Sequence, residues 1–362
     1  MSDASTTKMI QMYMEDASAP GFLSGFFTSP ARNFHTSEKV EIDVLRDDED
    51  VAVVVQDLTV GARANESSVY VNKGFTPPIY DEEGTITAFD QIKRQPGDNP
   101  FVDPNYAANA TNQAFRIFRK LENKIRRAIE LMASQVLQTG TLNLKDKTGA
   151  ILYTLDFKPK ATHLVQVGTT WAADGSAGNP ITDLESLARV VRRDGKKKPT
   201  KLIFGQTAFR SFIRNAEVKD ALTKDVQNLG ALAPEVRGEG ATFQGRVWIG
   251  HYQFEMWMYD GFYTDVQTQN HTEFVDDDNV IMLSDGARLD LTFGAIPLLQ
   301  QPTAPAMAFL PGRLSSSDRG LDLSTNAWIT PDGKHLKVSA GTRPLTIPTA
   351  IDTFARLNTI QP

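Results

Sequence analysis

The side chains able to do chemistry are few, and their spacing serves no recognisable reaction. The densest group is His271 and Glu273 followed by Asp276, Asp277 and Asp278, imidazole and oxygen donors of the kind that hold a divalent cation. Tandem carboxylates ahead of an apolar run, here residues 280–283, are also what a solvated acidic loop requires, and that is the reading taken. The other histidines, His35, His163, His251 and His335, are scattered, with no pair at metal-ligand spacing. Gly238 and Gly240 imitate the start of a dinucleotide fingerprint, but Phe243 stands where the third glycine belongs and no strong strand precedes them. Lys147 and Thr148 lack the glycine of a phosphate loop ahead of them, and no G-x-S-x-G elbow occurs. The chain has no cysteine, which excludes disulfides, thiolate metal sites and cysteine nucleophiles. The expectation is a protein with no catalytic residues, no cofactor and no metal, and hence not an enzyme.

Composition points the same way. With 38 basic and 44 acidic residues the net charge is −6, mild for 362 residues and unlike a dedicated nucleic-acid binder. Arg192, Arg193, Lys196, Lys197 and Lys198 form the one basic run; it is able to touch phosphates, but a helix C-terminus and the following turn favour cations anyway. Residues 1–16 lack the apolar core of a signal peptide, and no run approaches the ~20 apolar residues of a membrane span. A soluble protein made in a cytoplasm, with room for two or more domains, is expected.

What must position these groups is dominated by one element. Residues 103–140 predict a single very long helix, with Asp103 as N-cap, Pro104 in the first turn and Gly140 as the left-handed stop. Phe115, Phe118, Leu121, Ile125, Ile129, Met132 and Val136 recur at steps of three and four and define one apolar stripe. Such a helix would be about 50 Å long, too long for one compact core to wrap, which suits a spine covered partly by neighbours in an assembly.

Around it the pattern is strands and extended arms. Residues 1–33 read as an arm with Phe22, Leu23, Phe26 and Phe27 as apolar anchors, seated either on another chain's surface or on its own domain. Residues 40–45 and 51–55 read as strands. Residues 61–100 have no helical period; short β patches at 69–71 and 86–89, with Tyr70, Phe75, Tyr80 and Phe89, predict a long two-stranded projection with a tip or turn at Glu82, Glu83 and Gly84. Residues 142–144 and 151–157 predict a hairpin, and residues 172–180 a mobile glycine-rich loop. Thr182 and Glu185 predict a capping box opening a helix that ends at Gly195. A strand at 202–204, a helix near 207–216, a half-buried strand at 252–258 and a buried one at 280–283 mark a second domain. A hairpin around Pro331, Asp332 and Gly333 and a strand at 351–357 close the chain.

These landmarks resemble, in order, the major capsid proteins of tailed bacteriophages of the lambda type. Phe26 and Phe27, then the run FHTSEKV from Phe34 to Val40, are similar to that family's junction of arm and first strand. Phe75, Thr76 and Pro77, and then Asn99, Pro100, Asp103, Pro104 and Tyr106, resemble its projecting loop and the start of its spine helix. Phe209, Arg210, Ser211 and Phe212 with Val218 and Lys219, and later Asp278 and Asn279 before Val280, resemble its second domain. Their collinearity over about 300 residues carries the resemblance.

The resemblance implies an α+β fold of the Hong Kong 97 type (HK97-like), with an N-arm at 1–33, peripheral strands at 34–60 and a projecting E-loop at 61–95. The peripheral domain with spine helix and hairpin would occupy 96–179, the axial domain 180–320 and a return to the peripheral domain 321–362. It implies a coat protein that self-assembles, as hexamers and pentamers, into the icosahedral head enclosing double-stranded DNA. Phe22, Phe26, Phe27, Tyr70, Phe75, Tyr80, Phe115, Phe118 and Ile125 are the expected assembly contacts. Expected partners are other copies, a separate scaffold, a portal, a possible cement or decoration protein, and DNA contacted non-specifically, without a membrane. Its place would be the virion capsid, assembled in the host cytoplasm. Some relatives crosslink the loop through lysine and asparagine; Lys73 lies in it, but no acceptor or catalytic carboxylate is identified and crosslinking is not expected. The alternatives are an encapsulin-like nanocompartment shell, a metal-dependent hydrolase around residues 271–278, and a tail or connector protein.

Overall fold

A computed structural model describes residues 19–35, 40–45, 70–92, 106–146, 148–223, 232–238, 240–265, 267–296 and 322–361 of the chain. In chain order, an arm with two 3-10 turns (Ser24–Phe26 and Ala31–Asn33) precedes β1 (Val40–Leu45), β2 (Tyr70–Phe75), β3 (Tyr80–Thr87), α1 (Ala88–Ile92) and the spine α2 (Tyr106–Thr139). A hairpin of β4 (Thr141–Lys145) and β5 (Ile151–Asp156) follows, then β6 (Leu164–Gln166), α3 (Pro180–Gly195), β7 (Pro199–Phe204), α4 (Gln206–Arg214) and α5 (Ala216–Thr223). Next come β8 (Leu232–Gly238), β9 (Ala241–Ile249), β10 (Tyr252–Tyr259), β11 (Phe262–Thr264) and β12 (His271–Glu273). The last strands are β13 (Asn279–Ser284), β14 (Leu289–Phe293), β15 (Ser324–Ile329), β16 (His335–Thr342), β17 (Pro344–Pro348) and β18 (Phe354–Asn358). Among the described residues no helix is long and apolar enough to cross a membrane.

The central sheet has seven strands in the order β6-β18-β13-β7-β10-β9-β8. Alternate residues of its inner strands point to opposite faces, so each strand feeds two cores. Val280 and Met282 pack with Leu184, Val191, Phe209 and Phe212 from α3 and α4, while Ile281 and Leu283 pack with Ile129, Met132 and Val136 of the spine. The spine is thus buried along its C-terminal half by the chain's own sheet, with Met132, Ala133, Val136 and Leu137 fully enclosed. It stops at Gly140, where φ is +68° and the amide donates to the Val136 carbonyl at 2.9 Å. A Cβ there would also lie 2.4 Å from Pro159 Cγ, so glycine is required twice over. The expected N-cap at Asp103 lies outside the described residues, as does the strand expected at 51–55.

The N-terminal half of the spine carries a second, smaller sheet, β15-β16-β3. Ile86, Ala327 and Val338 from it close on Ala114, with Ile117 and Phe118 partly buried against them. Here the expected tip at Glu82, Glu83 and Gly84 is corrected: these residues lie mid-strand in β3, opposite Ala340, Ser339 and Val338. The acidic pair faces cations, Glu82 with Lys124 at 3.0 Å and Glu83 with Lys337 at 2.7 Å, and Gly84 is small because the strand crosses the helix directly. A Cβ at Gly84 would sit 2.2 Å from Ile117 Cγ2. Gly84→Val is therefore expected to cost about 1–3 kcal/mol through overpacking, read as a lower urea midpoint at unchanged m-value. A variant as stable as the parent would show that this packing yields.

Strand pairing also redraws the projection. β2 pairs antiparallel with β1, Val40 opposite Phe75 and Leu45 opposite Tyr70, while β3 pairs with β16. The two strands expected within 61–95 are not partners of each other.

Other local expectations shift for identifiable reasons. α3 opens at Pro180 and not at a Thr182–Glu185 box, because Asn179 Oδ1 accepts the Thr182 amide at 3.1 Å and proline suits the first turn. The helix expected near 207–216 is two helices, broken at Asn215, whose side chain accepts the Glu217 amide at 3.0 Å. Residues 172–180 form a held turn rather than a loose loop: Gly178 lies against Trp171, and its carbonyl accepts from Asn215 Nδ2 at 3.1 Å. A strand, β8, does precede Gly238 and Gly240, but another strand follows, which excludes the strand-turn-helix of a dinucleotide site. The last strand starts at Phe354, after a 3-10 turn, not at Ile351.

Candidate functional site

The arm is seated on its own chain by a buried anion. Glu130 lies on the spine at 0 % exposure. Its Oε1 accepts the Leu23 amide at 2.7 Å and the Tyr259 hydroxyl at 2.8 Å, and its Oε2 accepts the Ser24 amide at 2.8 Å. A carboxylate buried from bulk solvent needs such donors, and here they come from two elements distant in sequence, the arm and β10, which both face the spine. Burial, then the charge of Glu130, raises the Tyr259 pKa, so the phenol stays a donor. Around the anion Leu23 is fully buried, and the Phe22 ring lies 5.1 Å from Trp257 and 5.3 Å from Tyr259. Farther along, the arm runs parallel to β14 through bridges at Thr28 with Asp290 and Phe34 with Phe293, whose rings stack at 5.0 Å. Buried Asn33 fixes that stretch by donating to the Thr28 and Leu291 carbonyls and to Asp290. Sequence reasoning misses Glu130; a lone carboxylate amid Ile129, Leu131, Met132 and Ala133 is the signal that could have found it.

The expected assembly contacts separate into several environments. Phe27 and Ile125, at 5 % and 2 % exposure, lie in the chain's own core. Phe22, Phe26, Phe75, Tyr80 and Phe118 are partly buried against that core, with Phe75 5.7 Å from Phe157. Tyr70 stands opposite Leu45, and its side chain lies outside the described residues. Phe115 is 43 % exposed. Phe89 and Ile329, also exposed, fall outside the expected set; both sit at the end of the small sheet where Ala88 N donates to the Lys334 carbonyl.

The acidic group around β12 does not converge as a metal centre: among the described residues no three His, Asp or Glu side chains are placed to hold an ion. His271 instead packs edge-on against Phe262 at 5.2 Å, and His163 is buried with Nδ1 2.8 Å from the Phe354 carbonyl. Gln138 occupies the middle, accepting the Asp276 amide at 3.0 Å and Asn279 Nδ2 at 2.8 Å while donating to the Phe274 carbonyl at 2.8 Å. Burial, with the Asp277 carboxylate beside it and Asp260 and Asp276 adding, pushes Glu273 up to about 7. Between about pH 4.5 and 7 the folded chain keeps a proton that the unfolded chain releases, so this group's stabilisation is full below that window and fades as pH rises through it. The expected result is a melting temperature that falls between pH 5 and 8, with a shallower fall in Glu273→Gln. An identical pH profile in that variant would remove Glu273 as the cause.

Solved structures of similar shape come from a prophage, a phage and an encapsulin. A prophage protein named as a capsid protein, from E. coli CFT073, superposes with a TM-score of 0.58 at 18 % identity, over 80 % of each chain. A structure from Gordonia phage Cozz gives 0.50 at 8 % identity, over 97 % of this chain and 90 % of that one. The holo-SrpI encapsulin of Synechococcus elongatus PCC 7942 gives 0.47 at 11 % identity, over 97 % and 91 %. No curated protein matches the chain in sequence. The prophage and Cozz superpositions show the α+β, HK97-like capsid fold. The family model described as phage major capsid protein E matches residues 5–359, nearly the whole chain, and with that fold beneath the match the chain belongs to this family of structural coat proteins.

Proposed function

We propose that the chain builds the icosahedral head of a tailed bacteriophage, its copies grouped as hexamers and pentamers around packaged double-stranded DNA. The family match over residues 5–359 carries this reading. As a member of that family the protein is a structural component that self-assembles, and its place is the capsid of the virion.

The division of labour follows from the architecture. The arm is an internal strap, the β1–β2 ladder belongs to the projecting loop, and the spine with the small sheet is the peripheral domain. The seven-stranded sheet with α3, α4 and α5 is the axial domain. Phe115, Phe89 and Ile329, apolar and exposed near the outer end of the spine, are the side chains that neighbouring copies cover. A separate scaffold and a portal are the partners of assembly, with a decoration protein as a further candidate, and assembly takes place in the host cytoplasm. Electron microscopy of the purified chain, expressed with and without a candidate scaffold, tests the reading. Closed icosahedral shells are expected; a monodisperse small oligomer under both conditions would overturn it.

A further inference from the structure

The charge of the chain is unevenly placed. Residues 189–201 hold seven basic side chains and one acid, six net positive charges in a chain whose total is −6. Six of them are exposed on α3 and the turn after it, while the seventh, Lys201 in β7, lies 3.7 Å from Asp285. In α3 the buried positions are Leu184, Leu187, Ala188 and Val191; at 100° per residue Arg189 and Arg193 fall on the opposite side of the helix and Arg192 on its flank. All three are exposed, and the left-handed turn at Lys196, φ +53°, carries exposed Lys196, Lys197 and Lys198 on from them. Helix polarity accounts for cations in the last turn and the turn after it, but not for Arg189 one turn earlier. Two of the six are drawn to acids of the same helix, Arg189 to Glu185 at 2.6 Å and Arg193 to Asp194 at 2.9 Å. Arg192 and Lys197 have no ion pair among the described residues.

From this we infer that the α3 face of the axial domain looks into the shell and meets the phosphates of duplex DNA. The inference rests on the coat reading and adds the orientation of this domain. The partner is a polyanion because the stripe is charged throughout: no large apolar side chain of residues 189–198 is exposed, whereas the centre of a protein interface is depleted in charge. Nucleic acid is favoured over an acidic protein because a run of exposed cations can track a uniformly charged phosphate backbone without sequence register. A patch of this size gives weak, salt-sensitive binding, compatible with DNA that must be packed in and released.

Two measurements test it. The first uses the unassembled full-length chain and a double charge reversal, Arg192→Glu with Lys197→Glu, at two exposed positions outside both cores. Duplex DNA binding is expected to weaken at least tenfold, and the plot of log affinity against log salt to flatten by about two, near 0.9 for each phosphate that is no longer neutralised. Equal affinity and slope in parent and variant would overturn the inference, as would parent chain binding polyglutamate as tightly as duplex DNA. The second uses the absence of cysteine: Lys197→Cys places a single thiol on this face. In assembled shells a maleimide polymer too bulky to cross the wall should label that thiol only after dissociation. Labelling of intact shells would place α3 outside and overturn the inference. Failure to form shells would count against the coat reading instead, and the DNA-binding comparison would still decide whether the face binds phosphates.

Discussion

Replacing Glu130 with alanine is expected to lower the stability of the chain by about 3 kcal/mol or more and to release the arm. Two backbone amides and the Tyr259 hydroxyl would be left without their acceptor at a position closed to bulk solvent. Each donor stranded in that way costs roughly 1–3 kcal/mol, partly offset because the anion itself no longer needs to be desolvated. The urea midpoint should fall, and a protease should cut near residues 19–30 before the rest of the chain. Glu130→Gln, which keeps one carbonyl oxygen but turns an amide N–H₂ toward a donor, should lie between parent and alanine. An alanine variant of parental stability with a protected arm would show that Leu23 and its apolar surroundings seat the arm without the anion.

A second large effect separates folding from assembly along one helix. Ile125→Asp puts a carboxylate where 2 % of the side chain is exposed, and a buried unpaired charge costs several kcal/mol, enough to consume much of a typical domain's stability. That variant should fail to give soluble folded chain. Phe115→Asp, ten residues earlier on the same helix and 43 % exposed, should leave circular dichroism and melting temperature near the parent and abolish shells. Folded Ile125→Asp would refute the enclosure of the stripe; normal shells from Phe115→Asp would take the outer end of the spine out of the interface.

The contrast between these two residues shows what is legible in a sequence and what is not. The stripe of α2 announces itself because seven apolar residues repeat at helical spacing, and Gly140 marks its end because a left-handed turn is needed there. Yet Phe115 and Ile125 look equivalent in the sequence, since periodicity reports that a face is apolar and not what covers it. The hairpin at Pro331 to Gly333 is legible from turn chemistry, and the β10 strand from its alternation. Pairing across long separations is not: whether β3 meets β2 or β16 depends on a strand more than 240 residues away. Glu130 is hidden for the same reason, its three donors lying 107, 106 and 129 positions distant. Residues 271–278 suggest ligands by composition, while their placement is decided by Gln138 and by the ladder of β13.

The strand order of the main sheet has a consequence for the timing of synthesis. β18, residues Phe354–Asn358, is inserted between β6 and β13, near the edge yet paired on both sides, and β17 completes the ladder of β14. A ribosome must therefore release residues through Asn358 before the sheet can close, so β6, β7 and β13 wait for a strand made well after them. A product truncated before residue 344 would lack the strands that seal both sheets and could not acquire the mature surface. In a shell of many identical copies, where one defective subunit spoils its neighbours, the topology itself acts as a proofreading step that excludes incomplete chains before assembly begins.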